Sequence, residues 1–208
     1  MKTYVTKDDL DYAAEILKSG GLVAVPTETV YGLSAGAFFE KAVERIYEIK
    51  NRPETKPINL LVRNMGDAEQ VCADIPPSAY ALAEAFWPGP LTMILKKKPA
   101  VPDIVTAGGS TVGVRAPKNS LTLKLIEKCG FPLATPSANI SGEKSAVSAG
   151  QVLGYFDRKI PCVIDGGECE IGVASTILDV TGEKIKVLRL GGLLPEEIKN
   201  KTGIEVIL

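Results

Sequence analysis

Gly20-Gly21-Leu22-Val23-Ala24-Val25-Pro26-Thr27-Glu28-Thr29-Val30-Tyr31-Gly32-Leu33 is the stretch that the rest of the chain serves. Leu22 to Val25 is a short apolar run with the β-branched content of a buried strand, and Pro26 closes it because proline has no backbone N–H for a ladder. The loop beyond Pro26 is dense in hydroxyls. Thr27, Glu28, Thr29 and Tyr31 therefore stand at the end of a core strand, where open α/β sheets gather ligand-binding groups. Taken alone, these residues also fit a plain polar turn, so the surrounding sequence has to decide.

Upstream, Thr6 followed by Asp8 and Asp9 reads as a helix N-cap with acids in the first turn. Leu10, Ala13, Ala14 and Leu17 then recur at the spacing of one helix face until Gly20 and Gly21 stop it. Downstream, Lys41 to Ile49 carries Ala42, Val43, Ile46 and Ile49 on one side, a second amphipathic helix. Helix, strand, loop, helix is the grammar of an α/β domain. The second helix runs into Lys50-Asn51-Arg52-Pro53-Glu54-Thr55-Lys56-Pro57. Here the prolines forbid helix and present Lys50, Arg52 and Lys56 on a stiff segment ahead of the apolar run Ile58 to Val62. Such a segment suits a polyanion or, equally, plain solvent.

Asn64 to Ala73 and Ser78 to Phe86 read as further helices, the second stopped by Trp87-Pro88-Gly89-Pro90 before a strand over Leu91 to Leu95. Trp87 adjoins an apolar helix face and is expected in the core rather than under a base. Lys96, Lys97 and Lys98 are expected to be a solvated strand end rather than an RNA contact. Thr111-Val112-Gly113-Val114-Arg115-Ala116-Pro117 reads as a strand interrupted by glycine and ending in an arginine, whose planar fork can meet a carboxylate or phosphate. Next come a helix from Asn119 to Lys128 and a short strand from Leu133 to Thr135. The loop Pro136-Ser137-Ala138-Asn139-Ile140-Ser141-Gly142, with Ser145 beyond it, crowds small donors and acceptors of the kind that hold sugars, phosphates or adenine edges.

Composition narrows the chemistry. The chain has 208 residues, 45% hydrophobic and 24% charged, enough for a substantial core in a soluble globular protein. No run approaches the ~20 apolar residues of a membrane span, and the start MKTYVTKDDL lacks the apolar core of a signal peptide. An intracellular, cytoplasmic protein without membrane contact is expected. Histidine is absent, which removes Ser-His-Asp and Cys-His chemistry and histidine-ligated zinc. The four cysteines, Cys72, Cys129, Cys162 and Cys169, form no CxxC pair and are expected to be buried free thiols. A net charge of -1 gives no global basic field, so any attraction for a polyanion has to be local.

PTETVYGL over 26–33, Lys50-Asn51-Arg52, VGVRAP over 112–117 and ATPSANISG over 134–142 resemble, in order and approximate spacing, the YrdC-domain family. Gly172-Val173-Ala174-Ser175-Thr176-Ile177-Leu178-Asp179 and Leu188-Arg189-Leu190-Gly191 are similar to its later motifs, so the resemblance covers roughly 8–194. It implies a YrdC-like (RibB/DHBP synthase-like) α/β fold, a twisted mixed sheet with flanking helices round a large central cavity, as a single domain over 1–208. It also implies ATP, L-threonine and bicarbonate or CO2 as substrates, Mg2+ entering with ATP, and no tightly bound organic cofactor. The products would be pyrophosphate and threonylcarbamoyl-adenylate, the latter taken up by a tRNA-modifying threonylcarbamoyl transferase for t6A formation.

Residue by residue, the resemblance places Thr29, Arg115, Thr135 and Ser175 round the amino acid. It places Arg52, Lys56, Thr111, Ser137, Asn139, Ser145 and Arg189 round ATP, with Lys50 and Arg52 as catalytic cations. Charge accumulating on phosphoryl oxygens needs cations and Mg2+ rather than a histidine. Leu61 stands where many members carry a histidine that helps to hold the amino acid, and Asn51 where they carry glycine. The metal's ligands and any general base stay open. Two other classes compete: a YciO-like module that binds tRNA or double-stranded RNA weakly, and a carbamoyl-transfer domain of the hydrogenase-maturation type. The latter normally travels with acylphosphatase and paired-cysteine zinc segments, which this chain lacks.

Overall fold

The structure, a computed structural model, describes residues 2–208. In chain order the elements are β1 (Tyr4–Thr6), α1 (Leu10–Lys18), β2 (Val23–Val25), β3 (Gly32–Gly36), α2 (Glu40–Lys50), β4 (Leu60–Leu61), α3 (Met65–Val71), β5 (Cys72–Ala73), α4 (Pro77–Phe86) and β6 (Leu91–Lys97). They continue with α5 (Asp103–Thr106), β7 (Thr111–Arg115), α6 (Ser120–Cys129), β8 (Leu133–Ala134), α7 (Ala149–Phe156), β9 (Cys162–Ile164), β10 (Thr176–Asp179), β11 (Ile185–Arg189), α8 (Pro195–Thr202) and β12 (Val206–Ile207). The strands form one mixed sheet in the order β1-β9-β2-β3-β8-β4-β7-β6-β10-β11-β12, with β5 beside β6.

Alternation along the strands divides the apolar residues between two faces. Val23 and Val25 belong to one core and Ala24 to the other, the period of two expected of a strand covered on both sides. The larger core takes Val43 and Ile46 of α2, Val71 of α3, Leu82 of α4 and Phe156 of α7 against Leu60, Met93 and Val114 of the sheet. The smaller one packs Leu10, Ala13, Ala14 and Leu17 of α1, with Leu125 and Ile126 of α6, on Val25, Leu61 and Leu133. Those two helices stop at β4. Further along the same face the sheet carries Arg115 of β7 and Thr92 of β6, and there it walls a cavity.

The N-cap of α1 differs from the sequence expectation. Asp9, rather than Thr6, caps the helix, its carboxylate accepting from Tyr12 N at 3.1 Å. Thr6 ends β1, and its Oγ1 accepts from Asp8 N and Asp9 N, the local turn that such a side chain offers in competition with a cap. The helix expected over Asn64 to Ala73 stops at Val71, because Cys72 and Ala73 are drawn into pairing with Lys97 and Lys96 of β6. No helix among the described residues is long and apolar enough to cross a membrane.

Candidate active site

The polar loop after β2 folds on itself before it meets anything else. Thr27 Oγ1 donates to Val30 O at 2.6 Å, accepts from Val30 N at 3.2 Å and lies 2.9 Å from Thr29 Oγ1. Tyr31 returns the chain to β3, and its hydroxyl, donating to Gly167 O and accepting from Gly166 N, pins the loop after β9 against it. Burial pushes that phenol up to about 12, so it stays a neutral tether.

Arg115, at the end of β7, lies among these groups. Its Nη1 donates to Thr29 Oγ1 at 2.8 Å, its Nε to Gly89 O at 3.0 Å, and its Nη2 is 2.7 Å from Glu28 Oε2. The sequence suggests a fork free to take both oxygens of a carboxylate. The structure corrects that: Glu28 already holds one side of the guanidinium, so a ligand meets only the remaining edge. Two hydroxyl pairs complete this part of the wall, Thr92 with Ser175 at 2.8 Å and Ser34 with Thr135 at 2.9 Å. Arg189 reaches in from β11, donating to Ser175 O from Nε and Nη2 at 3.1 and 2.8 Å. Arg52, half-buried, also reaches the cavity, donating to Lys56 O and Pro57 O.

The cavity these groups enclose holds about 170 Å³ and is lined by Thr29, Arg52, Arg115, Thr135, Ser137, Ser145, Ser175 and Arg189 of the sequence candidates. That is below the ~300 Å³ at which pockets for drug-sized ligands begin. It fits an amino acid inside, with anything larger extending through the mouth. Burial lowers the pKa of Arg52, Arg115 and Arg189, and for Arg189 the neighbouring Arg115 charge adds to it. All three remain cations. Against them stands the Glu28 carboxylate, so the site is locally positive in a chain of net charge -1. A second hollow beside Arg63, Tyr80 and Trp87 is larger, about 360 Å³, but shallow and without a buried polar cluster.

Four sequence candidates are not in the cavity wall. Lys50 is 1% exposed and turned under the 137–139 loop, its Nζ donating to Ser137 O and Asn139 O at 2.5 Å each. It sits four residues after Ile46 on the buried face of α2, and Asn51, left-handed at φ 49°, ends the helix there so that Arg52 is the side chain that reaches the rim. Lys56 is exposed beside the rim, its carbonyl accepting from Arg52 Nε, and Thr111 begins β7, at the far end from Arg115. Asn139 donates into its own loop, to Ile140 O and Glu143 O at 2.8 Å. Conversely Asn59 and Thr92 line the cavity, and Glu28 and Ser34 back Arg115 and Thr135 of its wall, without being among the candidates. Glu28 is visible inside the motif that draws attention to the loop; Thr92 can be found from its alternation with Leu91 and Met93, which face the core.

The thiols take no part: Cys72 is pushed up to about 12 and Cys129, Cys162 and Cys169 to about 11, in each case chiefly by burial. Cys169 is half-buried, the others buried. No group of three cysteines or acids among the described residues could hold a metal ion. Lys96, Lys97 and Lys98 are occupied with Asp74, Asp103 and Glu69 O, as a strand end would be.

A family model described as telomere recombination, of the Sua5, YciO and YrdC proteins, matches residues 15–191. The chain belongs to the Sua5/YciO/YrdC family. Within it, a Pyrococcus abyssi protein named threonylcarbamoyl-AMP synthase is 49% identical over 191 residues, 92% of this chain and 56% of that protein. The crystal structure of Sua5 from P. abyssi complexed with L-threonine superposes with a TM-score of 0.95 at 44% identity, covering 100% of this chain and 63% of that one. Escherichia coli YciO superposes at 0.85 with 23% identity over 94% of this chain and 98% of its own, which shows the shared Sua5/YciO/YrdC fold alone. The chain spans about half the length of the first curated relatives it matches.

Proposed function

We propose that the chain is a threonylcarbamoyl-AMP synthase, a nucleotidyltransferase that joins L-threonine, bicarbonate or CO2 and ATP into threonylcarbamoyl-adenylate and pyrophosphate. The observation that carries this is the amino-acid-sized cavity with Arg115 and a ring of hydroxyls inside and with Arg52 and Arg189 at its mouth. The names of its relatives and the threonine held by P. abyssi Sua5 support the same reading.

Carboxylation of the threonine amine gives a carbamate, one of whose oxygens attacks the α-phosphorus of ATP as the bond to pyrophosphate breaks. The inner hydroxyls and the free edge of Arg115 would orient the amino acid, a placement that turns a bimolecular encounter into a local one. Arg52 and Arg189 would face the phosphates, where negative charge accumulates. Mg2+ would arrive as MgATP, on phosphate oxygens and water. The product is a mixed carbamic–phosphoric anhydride that water destroys, so a tRNA-modifying threonylcarbamoyl transferase in the same cytoplasmic compartment would take it up for t6A.

Incubating the protein with MgATP, bicarbonate and L-threonine should release pyrophosphate only when threonine is present. Release that ignores threonine, or salt-sensitive RNA binding without any turnover, would overturn the reading.

A further inference from the structure

We infer that Asn59 reads the side-chain hydroxyl of the amino acid and thereby sets selectivity for threonine over its deoxy analogue; the inference rests on reading the cavity as a threonine site. β4 and β7 run parallel with Leu60 beside Val114 and Leu61 beside Arg115. Leu60 and Val114 face the larger core, so alternation puts Asn59 and Leu61 on the other face, with Gly113 and Arg115. Asn59 lines the cavity there.

The strand beside it is shaped for this side chain. A Cβ on Gly113 would overlap Asn59 Oδ1, lie 2.9 Å from its Cγ and come within 3.2 Å of Ile94 Cδ1. Gly113 is therefore a notch that seats the carboxamide. The carbonyl of Asn59 is in use, accepting from Thr135 N at 2.8 Å. Among the described residues its carboxamide has no hydrogen-bond partner. The hydroxyls on the same wall already pair with one another, Thr92 with Ser175, Ser34 with Thr135 and Thr29 with Thr27 and Arg115, which leaves them acceptor capacity for the amine and Asn59 as the group there with both a donor and an acceptor unused.

An amide both donates and accepts, which matches a hydroxyl, and leaving it unpaired in a half-buried place is unfavourable. Asn59 stands level with Gly113, so Arg115 lies one strand across and two residues along from it, a diagonal of roughly 8 Å. That is the reach from a carboxylate on Arg115 to a β-hydroxyl at Asn59, with a hydrogen bond at each end. An adenine edge also suits asparagine, but Asn59 shares its sheet face with Leu61, Gly113 and the Arg115 that would hold the carboxylate, which favours the amino acid.

Calorimetric titration of threonine, serine and 2-aminobutyrate into the wild type and into Asn59→Leu and Asn59→Ala tests the assignment. A site that reads the hydroxyl should prefer threonine over 2-aminobutyrate by roughly 10²–10⁴-fold. Both variants should lose at least tenfold of that ratio by weaker threonine binding, with 2-aminobutyrate unchanged. Gly113→Ala, which drives the amide from its notch, should act likewise with Asn59 intact. An unchanged ratio in Asn59→Ala with a wild-type circular dichroism spectrum would overturn the inference. So would a raised KM for ATP with amino-acid selectivity intact, which would assign the amide to the nucleotide. Selectivity in calorimetry without threonine-dependent pyrophosphate release would leave the assignment standing and remove only the synthase reading.

Discussion

Arg115 Nη2 and Glu28 Oε2 lie 2.7 Å apart with side chains 8% and 2% exposed, the one ion pair that is buried on both sides among the described residues. Removing one partner of such a pair strands the other charge in a poor solvent, at about 3–5 kcal/mol. Glu28→Ala is expected to lose stability of that order in urea unfolding, and threonine affinity with it because Arg115 is no longer held. A loss under about 1 kcal/mol would mean that water reaches the guanidinium.

Among the described residues Lys50 has no carboxylate partner, and its pKa in the fold is about 7 against an ordinary 10.5, chiefly through burial and then through Arg52. Below about 7 it is charged in both states, and the burial penalty is felt in full. Between about 7 and 10.5 the unfolded chain keeps a proton that the folded chain has released, so stability rises with pH across that window and levels off above it. The wild type should gain on Lys50→Met from pH 7 to 10, by at most roughly 4 kcal/mol. Urea melts of both proteins along a pH series check this, and a constant difference would contradict it.

Arg52 is held by two main-chain carbonyls at the rim and by no acid. Arg52→Ala should shift stability by less than about 1 kcal/mol. It should cut threonine-dependent pyrophosphate release by at least ~10²-fold, since it removes a cation from the charge that develops on phosphorus. Normal turnover in a folded variant would take Arg52 out of the site.

Gly191 lets the chain after β11 cross close to the turn before β10. An added Cβ would overlap the Ala174 carbonyl and Ser175 backbone, lying 2.6 Å from Ser175 O, and no rotamer moves main-chain atoms aside. Gly191→Ala should lower the thermal midpoint and weaken threonine binding, because Ser175 and Arg189 flank the clash. Gly192→Ala is the control: its Cβ would meet only side chains, at 3.2 Å or more, and a larger effect there would be unexpected.

The parts of this protein that are legible in sequence are those whose pattern is local. The apolar face of α1, the Asn119 cap and Gly130 stop of α6, and the strand ending at Arg115 can be read from periodicity and end signals. β3 escapes such a reading because Gly-Leu-Ser-Ala-Gly is buried at every position and small, so it shows neither alternation nor bulk. β1 and β12 are too short to have a period. For Lys50 the sequence holds the answer in its spacing from Val43 and Ile46, but a cation beside Arg52 draws the eye to solvent. Asn59, and the pairing of Glu28 with Arg115, gain their meaning only from strands far along the chain, which no local pattern contains.

The wall of the cavity draws on positions from Thr27 to Arg189. In kinetic terms the site is therefore among the last things to exist as the chain folds: strands with long loops between them must close first, and such closures come late. A fragment ending before β11 lacks Arg189 and with it one side of the mouth. On the proposed reading threonine would recognise only the finished molecule, so it would lengthen the lifetime of the native state without hastening its formation.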